Sequence, residues 1–156
     1  MSGLWLLETT DAHFAWMLGE RDAPDGLTLP PGGIDSPRIL RWLRRGLTTL
    51  GPGRGWLMVA DGEVVGTGGY KNPPRDGVVD IGYGVAAERR RRGHAAAALA
   101  LIVEKARGDP EVRALIAETA LANLPSQRVL EANGFAQVGR SHDDEEGEMI
   151  VWRLEL

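Results

Sequence analysis

Cysteine is absent from this chain of 156 residues. Its absence excludes a disulfide framework, a cysteine zinc cluster and a thiol nucleophile, and it agrees with a reducing, cytoplasmic setting. Long apolar runs are also missing, since no window approaches the ~20 apolar residues that a membrane-spanning helix needs. The first residues lack the basic and then apolar pattern of a signal peptide. We therefore expect a soluble, cytoplasmic protein without a membrane partner.

Histidine is scarce, and positive charge is in the minority. The three histidines are His13, His94 and His142, and none has a second ligand at metal-binding spacing, so we expect no metal. The formal net charge of -4 argues against nucleic-acid binding over the whole surface. With 43% hydrophobic residues, the chain can bury one core, and we predict a single domain over residues 1–156.

One short segment concentrates positive charge against this acidic background. An apolar strand from Val78 leads into four arginines at residues 89–92 and then into Gly93, where an alanine-rich helix opens. Helix starts carry unpaired N–H groups and a partial positive charge, so arginines stacked there repel the dipole unless an anion is present. A pyrophosphate would relieve this repulsion. The segment therefore predicts a site for a phosphorylated cofactor.

The strand before the basic turn contains two glycines, Gly82 and Gly84. Glycine weakens a strand unless a bulge or a close approach to a ligand requires it. The two glycines either admit a ligand or accommodate neighbouring aromatic side chains. They also fit a Gly-x-Gly-x-x-Ala dinucleotide fingerprint, but that fingerprint belongs in a turn. Here Val85 still belongs to the strand, and the helix begins only near Gly93.

The remaining sequence alternates between strand-like and helix-like patterns. Predicted strands cover residues 4–8, 56–60, 63–68, 78–85, 112–119, 135–138 and 148–154. Predicted helices begin near Thr10 and Ser36 and cover residues 95–107 and 126–132. Asp61 and Gly62 form the dipeptide best suited to a tight hairpin. Large aromatic residues in the strands, including Trp56 and Tyr70, are more typical of core than of a pocket lining.

The helix that opens near Ser36 has two distinct faces. Its apolar residues recur at helical spacing, and we expect all of them to point inward: Ile39, Leu40, Leu43, Leu47 and Leu50. The opposite face carries arginines, which most often form a solvated helix surface, so we assign them no chemistry.

The order of elements resembles the GNAT superfamily of acetyl-CoA-dependent N-acyltransferases. Arg90-Arg-Arg-Gly93-His-Ala95 matches the superfamily turn Gln/Arg-x-x-Gly-x-Gly/Ala. The segment from Asn123 to Phe135 is similar to Asn-x-x-Ser-x-Arg-x-Leu-Glu-x-x-Gly-Phe of the branch that includes ribosomal-protein N-terminal acetyltransferases. Two motifs at the expected separation make chance agreement improbable, and the likeness covers most of residues 56–139.

The resemblance implies an α/β, GNAT-like fold. Its central sheet would be mixed and mostly antiparallel, with six to seven strands, splayed between the fourth and fifth strands and covered by helices on both faces. It also implies acetyl-CoA as co-substrate, with the pantetheine arm along the strand near Val85, whose N–H would hold the thioester oxygen. The residues expected to bind the cofactor are Tyr83, Gly84, Val85, Arg90, Arg91, Arg92, Gly93, His94, Ala95, Asn123 and Ser126.

Direct transfer to an amine requires a neutral nucleophile, so a carboxylate is the useful base. Asp80 is the first candidate, although the branch more often has the longer glutamate, and Glu118 is the second. Either carboxylate could equally be an exposed strand-edge charge. Many superfamily members protonate the leaving thiolate with a tyrosine where this chain has Leu130. Ser126 is then the candidate hydroxyl, and its alternative role is to cap the short helix.

These residues predict an N-acetyltransferase that moves an acetyl group from acetyl-CoA to a primary amine by direct attack. The acceptor is a peptide N-terminus or a small molecule, and the protein is a monomer or a homodimer. The absent tyrosine leaves open an acyl-CoA-binding or sensing domain without turnover. A nucleic-acid-binding module using the four arginines is a third interpretation, against which the acidic balance counts.

Overall fold

One sheet organises the part of the chain that the structure describes. The computed structural model describes residues 3–156, so the first two residues of the predicted domain lie outside it. The strands are β1 (Trp5–Glu8), β2 (Gly55–Ala60), β3 (Glu63–Tyr70), β4 (Val78–Val85), β5 (Ala114–Ala120), β6 (Ala136–Asp143) and β7 (Gly147–Glu155). The α-helices are α1 (Asp11–Met17), α2 (Pro37–Leu50), α3 (His94–Arg107) and α4 (Leu124–Ala132).

The sheet is mixed and mostly antiparallel, as the resemblance implies. The strands lie in the order β1-β2-β3-β4-β5-β7-β6, and only β4 and β5 run parallel to each other. These two strands pair at just three positions, from Val78 opposite Ala114 to Asp80 opposite Ile116. Beyond Asp80 they diverge. The predicted splay between the fourth and fifth strands is therefore confirmed.

The hydrogen bonds of β4 leave one of its edges facing the splay. Ala86 N–H donates to Val65 O at 2.7 Å, and Lys71 N–H donates to Asp80 O at 2.7 Å. Hydrogen-bonded pairs alternate along an antiparallel ladder, so the even-numbered residues of β4 bond to β3. The N–H and C=O groups of Tyr83 and Val85 consequently point toward the side from which β5 has diverged.

Helices cover both faces of the sheet, which confirms a second part of the expected fold. On one face α3 buries Leu99 and Ile102 against Val79 and Ile81 of β4. On the other face the apolar side of α1 packs over residues of β2 and β3, among them Leu57. Side chains alternate along β4, so Tyr83 shares the α3 face, whereas Asp80, Gly82 and Gly84 share the opposite face.

The β2–β3 hairpin has the turn geometry that its sequence predicts. Asp61 and Gly62 have φ of 52° and 76°, which is the left-handed pair that a tight hairpin requires. Trp56 and Tyr70 are buried, in agreement with a core role.

Several sequence expectations differ from the structure. The strand β6 continues to Asp143 instead of ending near residue 138, because its pairing with β7 extends to Asp143 opposite Gly147. Its side chains are nearly all exposed, so no apolar alternation marks its length. The helix α4 begins at Leu124, and Asn123, not Ser126, caps it by accepting a hydrogen bond from Ser126 N–H. Finally, only Leu40 is buried among the five apolar residues of α2 that were expected to point inward, and the other four line the space between α2 and the sheet half-buried.

Candidate active site

The basic turn presents free backbone donors at the start of α3. Gly93 is the N-cap residue with φ of 78°, and no side chain caps the helix here. The first N–H that bonds within the helix belongs to Ala97, which donates to Gly93 O at 3.1 Å. The N–H groups of His94, Ala95 and Ala96 precede it and have no partner inside the helix. Three amides and the positive helix end therefore converge on one point.

Arg91 adds an unusual backbone conformation to this turn. Its φ of 66° lies in the left-handed region, which non-glycine residues seldom adopt. Strained conformations of this kind cost roughly 1–3 kcal/mol and cluster at ligand sites. The strain is consistent with a turn shaped to bring N–H groups and guanidinium groups around an anion.

The four arginines are not equivalent. Arg89 forms a bidentate ion pair with Glu63 at the start of β3, with Nε–Oε1 of 2.6 Å and Nη2–Oε2 of 3.1 Å. This hydrogen bonding raises the pKa of Arg89, so its charge is committed to fixing the turn. Arg90, Arg91 and Arg92 are exposed, and none forms an ion pair with a carboxylate in residues 3–156. Arg90 Nε donates a hydrogen bond to Val85 O at 3.3 Å, but no carboxylate neutralises the three charges, which remain available to an anion.

A cavity of about 610 Å³ connects the basic turn with the splay. Its wall contains every residue expected to bind the cofactor except Arg92. Four further residues line it: Arg89, which the sequence placed in the basic turn but not among the cofactor contacts, and Ala96, Pro125 and Val129, which sequence reasoning missed. Ala96 was missed because the predicted contacts ended at Ala95, the last residue of the turn motif, and Val129 lies one helical turn after Ser126, where helical spacing would have found it. Whether these residues bind the cofactor stays a prediction.

Two hydroxyl groups meet inside this cavity. Tyr83 Oη and Ser126 Oγ lie 2.9 Å apart and form a hydrogen bond across the splay. Burial raises the pKa of the Tyr83 phenol, so the phenol is neutral and can act as a donor. Leu130, at the position of the family's tyrosine, is fully buried in the core. The hydroxyl pair is the chemical group that sequence reasoning could not find, since its members lie 43 residues apart.

The two candidate bases lie near each other on the opposite face of the sheet. Burial, and then the negative charge of Glu118, raise the pKa of Asp80, while Lys71 lowers it. Glu118 is exposed and accepts a hydrogen bond from Ser141 Oγ. Neither carboxylate lines the 610 Å³ cavity. They lie instead where β4 and β5 begin to diverge.

His94 faces the basic turn with its side chain half-buried. Burial, and then the positive charge of Arg92, lower the pKa of the imidazole. In residues 3–156, no three side chains of metal-ligating type are grouped so as to hold a metal ion.

Among the same residues, no helix is long and apolar enough to cross a bilayer.

A second, smaller cavity of about 200 Å³ lies beneath α2 on the face opposite α3. We call it the α2 slot. It is lined by residues of α2 above and of β3 and β4 below, and it shares Tyr83 and Gly84 with the larger cavity. The two cavities therefore adjoin across β4.

Comparison with known proteins places this geometry in a family. The model of the acetyltransferase (GNAT) domain matches residues 4–136. Among solved structures, RimL, a ribosomal-protein alpha-N-acetyltransferase in complex with coenzyme A, has a TM-score of 0.72 and 15% identity over 98% of this chain and 94% of its own. RimJ from Mycobacterium smegmatis, in complex with CoA-disulfide, has a TM-score of 0.71 and 21% identity over 97% and 81% of the two chains.

The aminoglycoside acetyltransferase AAC(6')-Ib in complex with coenzyme A is similar as well, with a TM-score of 0.70 and 18% identity over 98% of this chain and 95% of its own. No curated protein matches the chain at the level of sequence. The structural likenesses share the fold and confirm the expected architecture. Since the family model spans most of its length, this protein belongs to the GNAT acetyltransferase family.

Proposed function

We propose that this protein transfers the acetyl group of acetyl-CoA to a primary amine by direct attack. The family supports acetyl transfer in broad terms. The observation that carries the proposal is the 610 Å³ cavity, which joins three free helix amides and the exposed arginines of the basic turn to the open edge of β4. This volume lies within the range of roughly 300–1,000 Å³ that small-molecule sites occupy.

The residues of the turn fit the diphosphate of the co-substrate. The N–H groups of His94, Ala95 and Ala96 point from the positive end of α3, and Arg90 and Arg91 line the same cavity. Backbone amides at a helix start together with guanidinium groups are a strong site for phosphate oxygens. Asn123 and Ser126 on the far wall are placed to contact the pantetheine amides.

The open edge of β4 supplies the donor for acyl transfer. The Val85 N–H points into the splay, where it can hydrogen-bond the thioester oxygen. Attack by the amine nitrogen on the carbonyl carbon places negative charge on that oxygen, and one preorganised donor is worth roughly 3 kcal/mol there. The C–S bond then breaks, the sulfur takes a proton from the Ser126 and Tyr83 hydroxyl pair, and the pair regains a proton from water.

A carboxylate removes the proton that the amine nitrogen releases. We assign this role to Asp80, whose raised pKa makes it a stronger base than an ordinary aspartate. Glu118 is the alternative, and each would act directly or through water. The acceptor amine is a peptide N-terminus, as for the ribosomal-protein alpha-N-acetyltransferase RimL, or a small molecule, as for the aminoglycoside enzyme.

One observation favours a second function, acyl-CoA binding without turnover. Neither Asp80 nor Glu118 lines the cofactor cavity, and Leu130 replaces the family's tyrosine. A mass-spectrometric screen of amine acceptors with acetyl-CoA, corrected for thioester hydrolysis, separates the two functions. Acetylated product supports the enzyme. Tight acetyl-CoA binding without any product across peptides, polyamines and amino acids supports the binding domain.

The cofactor site is tested by charge reversal of the two exposed arginines that line the cavity, Arg90→Glu with Arg91→Glu. Acetyl-CoA should bind at least tenfold more weakly in isothermal titration calorimetry, because two favourable charges become repulsive. The matched control is Arg41→Glu with Arg45→Glu, which makes the same charge change on the exposed side of α2. Unchanged affinity in the first variant, or an equal loss in the control, would contradict the assignment.

A further inference from the structure

The floor of the α2 slot lacks side chains. Thr67 of β3 lies opposite Gly84 of β4, and Gly69 lies opposite Gly82. All four residues line the slot. Strand alternation turns their side-chain positions toward α2, away from α3. Three of the four positions therefore carry no side chain. The Arg54–Gly55 backbone lies above Gly69 and the Lys71 side chain lies above Gly82, so the floor is open at Gly84.

The glycine at position 84 has no packing reason to be a glycine. At Gly69 a Cβ would lie 2.7 Å from Arg54 O, so the backbone excludes a side chain there. At Gly84 a Cβ would meet no atom within 4 Å, and the φ of this residue is not left-handed. Glycine inside a strand lowers stability unless a ligand approaches the backbone. Gly84 thus marks open space above β4.

The roof of the slot is an apolar helix face that the protein does not bury. Ile39, Leu43 and Leu47 of α2 line the slot and are only half-buried. Trp42 lines it too and is 49% exposed. A helix with this face would normally lie directly on the sheet. Here it stands off and leaves the apolar side chains facing a cavity.

Two ion pairs connect α2 to the segment around α1 without filling the slot. Arg44 donates to Asp11 Oδ1 of α1 at 2.7 Å and to Glu20 Oε2 at 3.0 Å. The helix is therefore anchored to α1 and the segment that follows it. This finding also corrects the expectation that Arg44 belongs to a merely solvated face, because its charge is paired twice.

The α2 slot approaches the expected position of the thioester from the side of β4 opposite the cofactor cavity. It shares Tyr83 and Gly84 with the cofactor cavity, and Lys71, which also lines it, pairs through its backbone with Asp80. Asp80 itself does not line the slot, but it lies beside Lys71 and on the same face of β4 as Gly82 and Gly84. The slot's volume of about 200 Å³ is below the range of roughly 300–1,000 Å³ that drug-sized ligands occupy. The slot has room for one side group and not for a molecule of several rings.

We infer that the acceptor carries, next to its amine, one apolar group no larger than an aromatic ring on a short chain, and that this group lies in the α2 slot. The inference rests on the proposed function, since it assigns the acceptor of the same reaction. The apolar group packs between Leu43 and Trp42 above and the Gly82–Gly84 backbone below. The amine is then directed toward Gly84, where the slot and the cofactor cavity meet.

The first test compares acceptors that differ only in this group. Tetrapeptides beginning with phenylalanine or with serine form one pair, and phenethylamine and ethanolamine form the other. At saturating acetyl-CoA, kcat/KM should be at least tenfold higher for the apolar member of each pair, since one buried methylene is worth about 10–200-fold in such pockets. Equal or reversed values would overturn the inference.

A binding measurement separates failure of the slot from failure of the proposed function. The same four amines are titrated into the protein saturated with coenzyme A, which requires no turnover. Preferential binding of phenethylamine and the phenylalanine peptide without any acetyl transfer would support the slot as the binding site of the apolar group and would contradict the transferase proposal. Equal binding of the polar and apolar members, or no binding of either, would contradict the assignment of the apolar group to the α2 slot.

Two variants of α2 test the location. Leu43→Trp should fill the slot and reduce kcat/KM for the phenylalanine peptide at least tenfold, while acetyl-CoA affinity stays within twofold. Leu43→Ala should enlarge the slot and shift preference toward a peptide beginning with tryptophan. The matched control is Arg41→Trp, which adds the same side chain at an exposed position of the same helix. An unchanged acceptor preference in both Leu43 variants would place the apolar group elsewhere.

Discussion

At the scale of single residues, the site depends on pairs that are distant in sequence. The sequence predicts Ser126 as a helix cap or as a proton donor. The structure gives the cap to Asn123, and it places the Ser126 hydroxyl 2.9 Å from Tyr83 Oη. The sequence predicts Tyr83 as a cofactor contact alone. The pair restores a hydroxyl near the expected thiolate, in a chain whose Leu130 cannot supply one.

Asp80 gives the sharpest prediction for a single residue. The base must be ionised, and its pKa is raised, so kcat/KM should fall as pH is lowered through this raised value. Asp80→Asn should lower kcat at least a hundredfold and remove this limb of the pH profile. If Asp80→Asn keeps the acidic limb of the pH profile and Glu118→Gln loses it, Glu118 is the base instead of Asp80.

The stability of the same variant separates catalysis from structure. A raised pKa means that the folded state binds the proton more tightly than the unfolded state does, so the stability from this group is lost as pH rises through the folded pKa. At neutral pH the ionised Asp80 is therefore unfavourable to folding. Asp80→Asn should be at least as stable as the wild type in urea unfolding, and a clear loss of stability would indicate a structural role.

At the scale of elements, the start of α3 and its turn form the proposed anion-binding unit. Gly93 has φ of 78°, and a Cβ at this position would meet no atom within 4 Å. The replacement Gly93→Ala therefore introduces conformational strain without a clash. We expect a loss of about 1–2 kcal/mol in the free energy of unfolding, together with weaker acetyl-CoA binding, because the free amides shift.

Gly53 offers a matched control for this replacement. Its φ is 74°, its Cβ position is equally open, and it lies outside the cofactor cavity. Gly53→Ala should lose similar stability in urea unfolding and keep its acetyl-CoA affinity in calorimetry. If both variants lost affinity equally, the effect would reflect general destabilisation and not the geometry of the basic turn.

The elements also show where local patterns mislead. Helical spacing correctly places Ile39, Leu43 and Leu47 on one face of α2, but burial depends on what lies opposite that face. Here the opposite surface is glycine-rich backbone, and the ion pairs of Arg44 connect α2 to α1 and Glu20 instead of to the sheet. The predicted strand β6 is too short because its length is set by pairing with β7, and its exposed side chains carry no signal.

At the scale of the whole molecule, a ligand that binds in the splay should stabilise the folded state. A ligand at a hundred times its Kd adds about 2.7 kcal/mol to the stability of the folded state. A domain of this size gains roughly 2–4 °C in Tm for each kcal/mol. Saturating acetyl-CoA should therefore raise Tm by about 5–10 °C in differential scanning fluorimetry.

The matched ligand for this experiment is S-acetylpantetheine, which lacks the diphosphate. It should raise Tm by much less at the same concentration, because it cannot reach the amides and arginines of the basic turn. An equal shift with both compounds would show that the turn is not the anchor. Absence of any shift with acetyl-CoA would contradict cofactor binding altogether.

The sequence by itself determined the features whose causes are adjacent in the chain. The residues of the basic turn, the hairpin at Asp61 and the strand glycines act through their own backbone and their immediate neighbours, so their spacing was sufficient to identify them. Together with the segment from Asn123 to Phe135, they were enough to recognise the family that the comparison confirmed.

Only the tertiary structure decided which distant groups meet. It removed Arg89 from the anion site by pairing it with Glu63, joined Tyr83 to Ser126, and turned the apolar face of α2 into a slot. The physical reason is that a hydrogen bond, an ion pair or an unfilled space depends on both surfaces that face each other. A linear pattern describes only one of the two.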